Sequence, residues 1–321
     1  EEAPKGPVAY KISYPVGLDP ESARIPADNP LPEEKIKLGK KLYFEKGMSI
    51  DGSLACASCH IPDKGFADPS QFSKGVGGKK RGRQAPTVIN RLFSTKQFWD
   101  GRAASLEDQA LGPVQNPVEM GMPSMAVVKE KLTADPNYVA EFKAAFPPDG
   151  EITDIHIAQA IASFERTVLS GNSPYDRFVA GDKSAMSEAA QRGYGLFKDP
   201  AKANCETCHV GFNFTDENYN NIGVGMAAAK PDLGYYAITK LEGHKGAFKT
   251  PTLREIASTA PYMHDGSQKT LEEVVSFYNK GGHKNKWLST KIKPLKLTKQ
   301  DESDIVEFLK ALSGDLTWYG K

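Results

Sequence analysis

Cys56, Cys59 and His60 follow one another as C-x-x-C-H, and Cys205, Cys208 and His209 repeat the order. Two thiols and an imidazole at this spacing form the attachment signature of a c-type haem. The sulfurs add to the vinyl groups, and the histidine binds the iron from one side. The chain has four cysteines and the two motifs use all of them, so none remains for a disulfide. C-x-x-C pairs also serve zinc and thioredoxin-like redox chemistry. Zinc could recruit both pairs, but it would not require a histidine directly after each second cysteine. The pattern therefore predicts two covalently bound haem c groups with His60 and His209 as iron ligands. Iron has a second axial face, and the stretch around the first motif offers it nothing obvious: no His, Met or Cys follows His60 until Met120.

The elements that must hold these groups read as helices. Asp154–Leu169 places Ile157, Ile161, Phe164 and Val168 on one face. Thr298 can cap a helix whose inner face carries Ile305, Phe308, Leu309 and Leu312. In "TLEEVVSFYNKGG", Thr270 and Glu273 fit a capping box and Gly281-Gly282 supply the stop, so that Leu271, Val274 or Val275, and Tyr278 share a face. No strong strand alternation is present, and the fold class is mainly α. A similar order of features follows each C-x-x-C-H, which predicts two cytochrome c-like haem domains with long loops, where the 22 prolines and 29 glycines concentrate. "GNSPYDRFVAGD", Gly171–Asp182, reads as a turn and linker. The boundary falls near Ser173, giving residues 1–172 to the first haem and 173–321 to the second.

The totals bound the function. At 321 residues the chain is comfortable for two domains. With 41 Lys+Arg against 40 Asp+Glu, the overall field suggests neither nucleic acid nor an anionic membrane as partner. Lys79-Lys80-Arg81 with Arg83 is a local basic exception. No apolar run approaches the ~18 residues of a spanning helix. Covalent haem is attached outside the bacterial cytoplasm, so the expected location is the periplasm. The opening "EEAPKG" reads as the start of a processed secretory chain.

Joined to "FWDGRAASLEDQALGPVQNPVEMG" and "KTPTLREIASTAPYMHDGSQKTLEEVV", the two motifs make the chain resemble the bacterial dihaem cytochrome c peroxidase family, which also contains the methylamine-dehydrogenase-maturing enzyme MauG. The resemblance runs from about Leu38 to Leu312. It implies a peroxide site at the N-terminal haem and an electron-transfer site at the C-terminal one. Gln109 and Glu119 match the pair beside the peroxide haem, where a carboxyl can take a proton from one oxygen and return it to the other. Trp99 matches the tryptophan between the haems, although a buried Trp read alone is more often core. The resemblance further implies that Arg254 pairs with a haem propionate and that His264 lies near the second haem. It also implies a calcium ion held by the Gln84 side-chain oxygen and the carbonyls of Thr259 and Pro261. The family usually has Asn where Gln84 stands. His156, His244 and His283 read as ordinary surface or loop residues.

Two departures matter. The family's reductively activated peroxidases place a capping His where, counting back without gaps from "QAPT", this chain has Val76. An isopropyl group cannot bind iron, so peroxide should react without prior reduction. The family's usual axial Met stands fourteen residues after the His of "YxHDG"; here that residue is Tyr278, as in MauG. A phenolate favours Fe(III), whereas Met raises the potential. Met263, beside His264, is the competing ligand. The sequence thus supports a peroxidase reducing H2O2 to water, with electrons from a small c-type cytochrome or cupredoxin relayed through the second haem. The alternative is a MauG-like enzyme that uses a high-valent state to oxidise a protein substrate. A plain electron carrier has no use for an open site beside a carboxyl. Family members are often dimers, though no surface feature here argues for it.

Overall fold

In the computed structural model, residues 8–321 are described; the "EEAPKG" start lies outside them. Among the described residues the chain forms ten α-helices and four short strands. The first half holds α1 (Glu33–Tyr43), α2 (Leu106–Gln115), α3 (Met125–Thr133), α4 (Pro136–Ala145) and α5 (Asp154–Glu165), and ends in β1 (Leu169–Gly171). The second holds α6 (Pro174–Val179), α7 (Glu188–Lys198), β2 (Tyr219–Asn220), α8 (Tyr236–Thr239), β3 (Phe248–Lys249), α9 (Leu271–Asn279), α10 (Lys299–Lys310) and β4 (Asp315–Thr317). The fold is mainly α, with the haem-attachment motifs on long irregular segments between helices.

Each half is built on one helix pair. In the first, α1 crosses α5, and the buried face of α5 carries the expected Ile157, Ile161 and Phe164. A Cβ on Gly39 would meet the Ala160 carbonyl oxygen at 1.8 Å, so only glycine lets the backbones approach this closely. In the second, α7 crosses α10, and Gly193 plays the same part against the Asp304 carbonyl at 1.9 Å. Ile305, Phe308, Leu309 and Leu312 face inward as their spacing predicts. Cys56 packs against the first core and Cys205 against the second.

The sequence misreads three local features. Gly171–Asp182 is not simply a linker, because Ser173 and Asp176 form a reciprocal capping box that starts α6. The α5 helix stops at Glu165 and the chain re-extends as β1 rather than staying helical to Leu169. In α9 the Thr270 hydroxyl accepts from the Glu273 N–H as expected, but the Glu273 carboxylate reaches past the cap to the Lys269 N–H. The halves are also stitched together. The β1 strand pairs antiparallel with β4, Leu169 opposite Thr317, and Trp318 lies edge-on to Phe66 with ring centroids 5.1 Å apart.

Candidate functional site: two cavities sharing a wall

Each C-x-x-C-H is wound into one short turn. Cys59 N–H and His60 N–H both donate to the Cys56 carbonyl, at 3.1 and 3.0 Å, and Cys208 and His209 repeat this on Cys205 at 3.2 and 2.9 Å. The turn brings two thiols and an imidazole to one side, where they line a cavity. Cys56, Cys59 and His60 line the smaller one, and Cys205, Cys208 and His209 the larger.

The residues fit the haems that the motifs imply. All four thiols are free, and burial pushes Cys56 and Cys205 up to about 12. Burial also pulls both imidazoles down, His60 to about 4 with help from the Arg81 charge. Both are therefore neutral near pH 7, the form that binds metal. The Phe214 carbonyl lies 3.0 Å from His209 Nδ1, which selects the tautomer with its lone pair on Nε2. His60 Nδ1 is buried without a hydrogen-bond partner among the described residues.

The other wall of the smaller cavity comes from α2 and the segment after it. Gln109, Ala110 and Pro113 reach it from the helix, and Glu119 and Met120 from the turn that follows. The Glu119 carboxylate is buried and ion-paired with Arg81, Nη2 to Oε1 2.6 Å, on the same wall. Gln109 and Glu119, ten positions apart in sequence, thus meet in the cavity of His60. Val76 adds no ligand. Its N–H donates to the Glu119 carbonyl at 2.9 Å, and its buried side chain lies outside the cavity wall.

A second carboxyl, Glu165, closes this cavity at the end of α5. It is 5% exposed and makes no side-chain hydrogen bond or ion pair among the described residues; neighbouring Arg166 spends its fork on Glu107 at 2.6 and 3.1 Å. Burial raises Glu165 to about 8 against the pull of Arg166 and Arg91. Two carboxyls on one wall are thus set for opposite roles: one paired with a cation, the other kept protonated at neutral pH.

In the larger cavity α9 presents Leu271, Val274, Val275 and Tyr278 as one face. Burial, then the neighbouring Cys205 and Cys208 thiols, raise the Tyr278 phenol above its ordinary range. Met263 and His264 line the same cavity, so both candidate ligands, Tyr278 and Met263, are within it. His264 is buried and stacks on Phe248, ring centroids 3.5 Å apart. Burial holds it near 4.

Between the cavities the chain runs Gln97-Phe98-Trp99. Gln97 and Phe98 line the first and Trp99 the second. The Trp99 indole donates to the Gln84 carbonyl at 2.9 Å. Next to it, Asp100 is clamped by Arg83, which also grips Asp232, each at 2.6 Å. Gln84, Thr259 and Pro261 meet on the larger cavity's wall. The Gln84 amide donates to the Asp68 carbonyl at 3.2 Å, and among the described residues nothing donates to its own oxygen or to the Thr259 and Pro261 carbonyls. The set is neutral, with no carboxylate among its three oxygens.

Arg254 is a correction. It lines neither cavity. The residue is 1% exposed, and its guanidinium forks onto Asp176 at 2.5 and 2.9 Å, with further bonds to Ser173, Gly17 and Phe212. All five N–H donors are engaged, so none is left for a propionate. His156, His244 and His283 line neither cavity; the first two stack on aromatic neighbours and His283 meets Phe277 edge-on.

Sequence reasoning missed Arg81, Arg91 and Glu165. Arg81 carried a signal in the basic run, but charge runs usually face solvent, and only the fold turns this one inward.

The profile of a family described as di-haem cytochrome c peroxidase matches residues 33–184. A methylamine utilization protein MauG from Methylorubrum extorquens is 41% identical over 92% of this chain and 83% of its own length. A cytochrome-c peroxidase IdrP1 from Denitromonas iodatirespirans is 39% identical over 90% and 84%. The crystal structure of a MauG-like protein associated with microbial copper homeostasis superposes with a TM-score of 0.88 at 34% identity, covering 96% of each chain.

Proposed function

The chain belongs to the di-haem cytochrome c peroxidase family, and from that premise we propose that it reduces hydrogen peroxide to water at the His60 cavity without prior reduction. The observation that carries this reading is the pairing of Glu119 and Arg81 on the wall of that cavity, with Gln109 beside them and no ligating side chain at Val76. Haem bound through Cys56, Cys59 and His60 would supply the redox change; the chain supplies the proton handling. Glu119, held by Arg81, accepts a proton from peroxide and returns it to the departing oxygen, and Gln109 orients the substrate by hydrogen bonding. Atoms balance as H2O2 with two protons and two electrons giving two waters. Electrons from a small c-type cytochrome or cupredoxin would enter at the Cys205–His209 site, and Trp99, between the two cavities, would be the stepping stone.

We assign residues 1–172 to the peroxide half and 173–321 to the electron-entry half, where Tyr278 rather than Met263 would join His209 in holding the second haem. Calcium on Gln84, Thr259 and Pro261 and a periplasmic location complete the reading. Tyr278 and the 41% identity to a MauG protein favour a second reading, in which the oxidising equivalents pass to a protein substrate. The test is low-temperature EPR of the fully ferric protein, followed by one equivalent of H2O2 without reductant. One high-spin and one low-spin signal, both lost promptly on addition, is the expected result. Two low-spin signals, inert until partial reduction, would mean that another residue caps the first iron.

A further inference from the structure

Pro86, Thr87 and Arg91 are common to the walls of both cavities, and Arg91 is the charged one. Its position is fixed at the seam between the halves. Asn90, fully buried, accepts from the Ser170 N–H at 3.0 Å and donates to the Ser170 carbonyl and to Asn213 Oδ1, each at 3.1 Å. From that anchor the Arg91 side chain uses two of its N–H groups inside the protein, Nε on the Thr87 carbonyl and Nη1 on Ser94 Oγ, each at 3.2 Å. Three of its five N–H groups stay uncommitted, and no carboxylate comes within ion-pair distance among the described residues. Glu217, whose charge it feels most strongly, is already held by Lys249 and by the Thr95 N–H. A half-buried guanidinium without an acid partner is costly unless an anion arrives with the ligand. Haem c carries two propionate carboxylates, and a guanidinium fork is their natural partner.

We propose that Arg91 is a shared carboxylate anchor, engaging propionates of both haems at once, so that one cation sets both potentials together. This is the role that Arg254, sealed onto Asp176, cannot fill. The inference rests on the dihaem reading above. A nearby positive charge favours the added electron, so removing it makes each haem harder to reduce.

The experiment compares wild-type, Arg91→Gln and Arg91→Lys holoproteins. Haem is counted by pyridine haemochrome, and each haem is followed by mediated spectroelectrochemistry with EPR. Arg91→Gln is expected to lower the reduction equilibrium constant of both haems about tenfold, or about 59 mV for a one-electron couple. Arg91→Lys, which keeps the charge without the fork, moves both in the same direction by less. A shift in one haem alone, or in neither, overturns the proposal. Should Arg91→Gln fail to load two haems, Arg91→Lys decides by the same criterion: a joint downward shift supports the anchor, and movement of one or none removes it. A wild-type protein with fewer than two haems would overturn the dihaem reading itself, a result separable from any behaviour of Arg91.

Discussion

Replacing Glu165 by glutamine should make the protein's stability less sensitive to alkali. In the folded chain this carboxyl stays protonated until about pH 8, against an ordinary value of 4.5. Between those limits the folded state holds a proton that the unfolded state has released, so stability falls as pH rises. Below the window both states are protonated, above it neither is, and in both regions the contribution is flat. The slope inside the window is about 1.36 kcal/mol per pH unit, which from about pH 5 to pH 8 accumulates to about 4 kcal/mol as an upper bound. Relaxation and water entry around a buried group reduce this to about 2 kcal/mol. Glutamine does not titrate, so any fixed cost of the amide is the same at both pH values. The histidines His60, His209 and His264, also shifted by burial, are common to both proteins and cancel in the difference. Thermal melts of Glu165→Gln and wild-type holoprotein at the two pH values should diverge by roughly 4–8 °C in favour of the variant at the higher one. Parallel behaviour across the window would refute the reasoning, and would mean that Arg91 or Arg166 keeps Glu165 ionised.

Three further outcomes follow from the cavities. Glu119→Gln should retain both haems yet lose about 10²- to 10⁴-fold in peroxide turnover; steady-state peroxide consumption near the wild-type rate would remove Glu119 from the proton path. Tyr278→Met should raise the potential of the second haem and change its EPR signal, with the first haem's signal unaltered. If the second haem's spectrum is unchanged, Met263 is the ligand. Asp176→Ala strands the buried Arg254 cation and should cost about 3–5 kcal/mol, read as a lowered melting temperature at unchanged haem potentials. Unchanged melting with altered potentials would return Arg254 to the propionate role.

The haem-bearing elements were legible in the sequence because covalent attachment fixes both residue types and their spacing. Cys56, Cys59, His60 and their second copy need no tertiary information to be recognised. The apolar stripes of α5 and α10 were legible for the related reason that burial on one face imposes a period. What sequence could not show is how charges separated by long intervals are matched. Arg254 and Asp176 lie 78 positions apart, and nothing local tells a guanidinium sealed onto a carboxylate from one reserved for a ligand. Arg81 reads as surface charge until its loop folds inward to Glu119. Glu165 follows the last apolar turn of α5 and looks like an ordinary exposed helix end, yet the α1–α5 crossing and the chain's return as β1 bury it. Ser173 marks a turn by composition, and becomes a helix cap only because Asp176 three residues later can answer it.

The strand pairing of β1 with β4 has a consequence for the order of assembly. Leu169 lies opposite Thr317, Trp318 covers Phe66, and the Tyr319 hydroxyl donates to Glu33 at 2.8 Å. Residues 315–319 are therefore structural parts of the half that precedes them in the chain. The core around Cys56 is sealed only when β4 arrives. A chain ending at Gly314 should accordingly show its greatest loss of protection from hydrogen exchange in β1 and around Phe66, far from the cut in sequence, while α7 keeps its native rates.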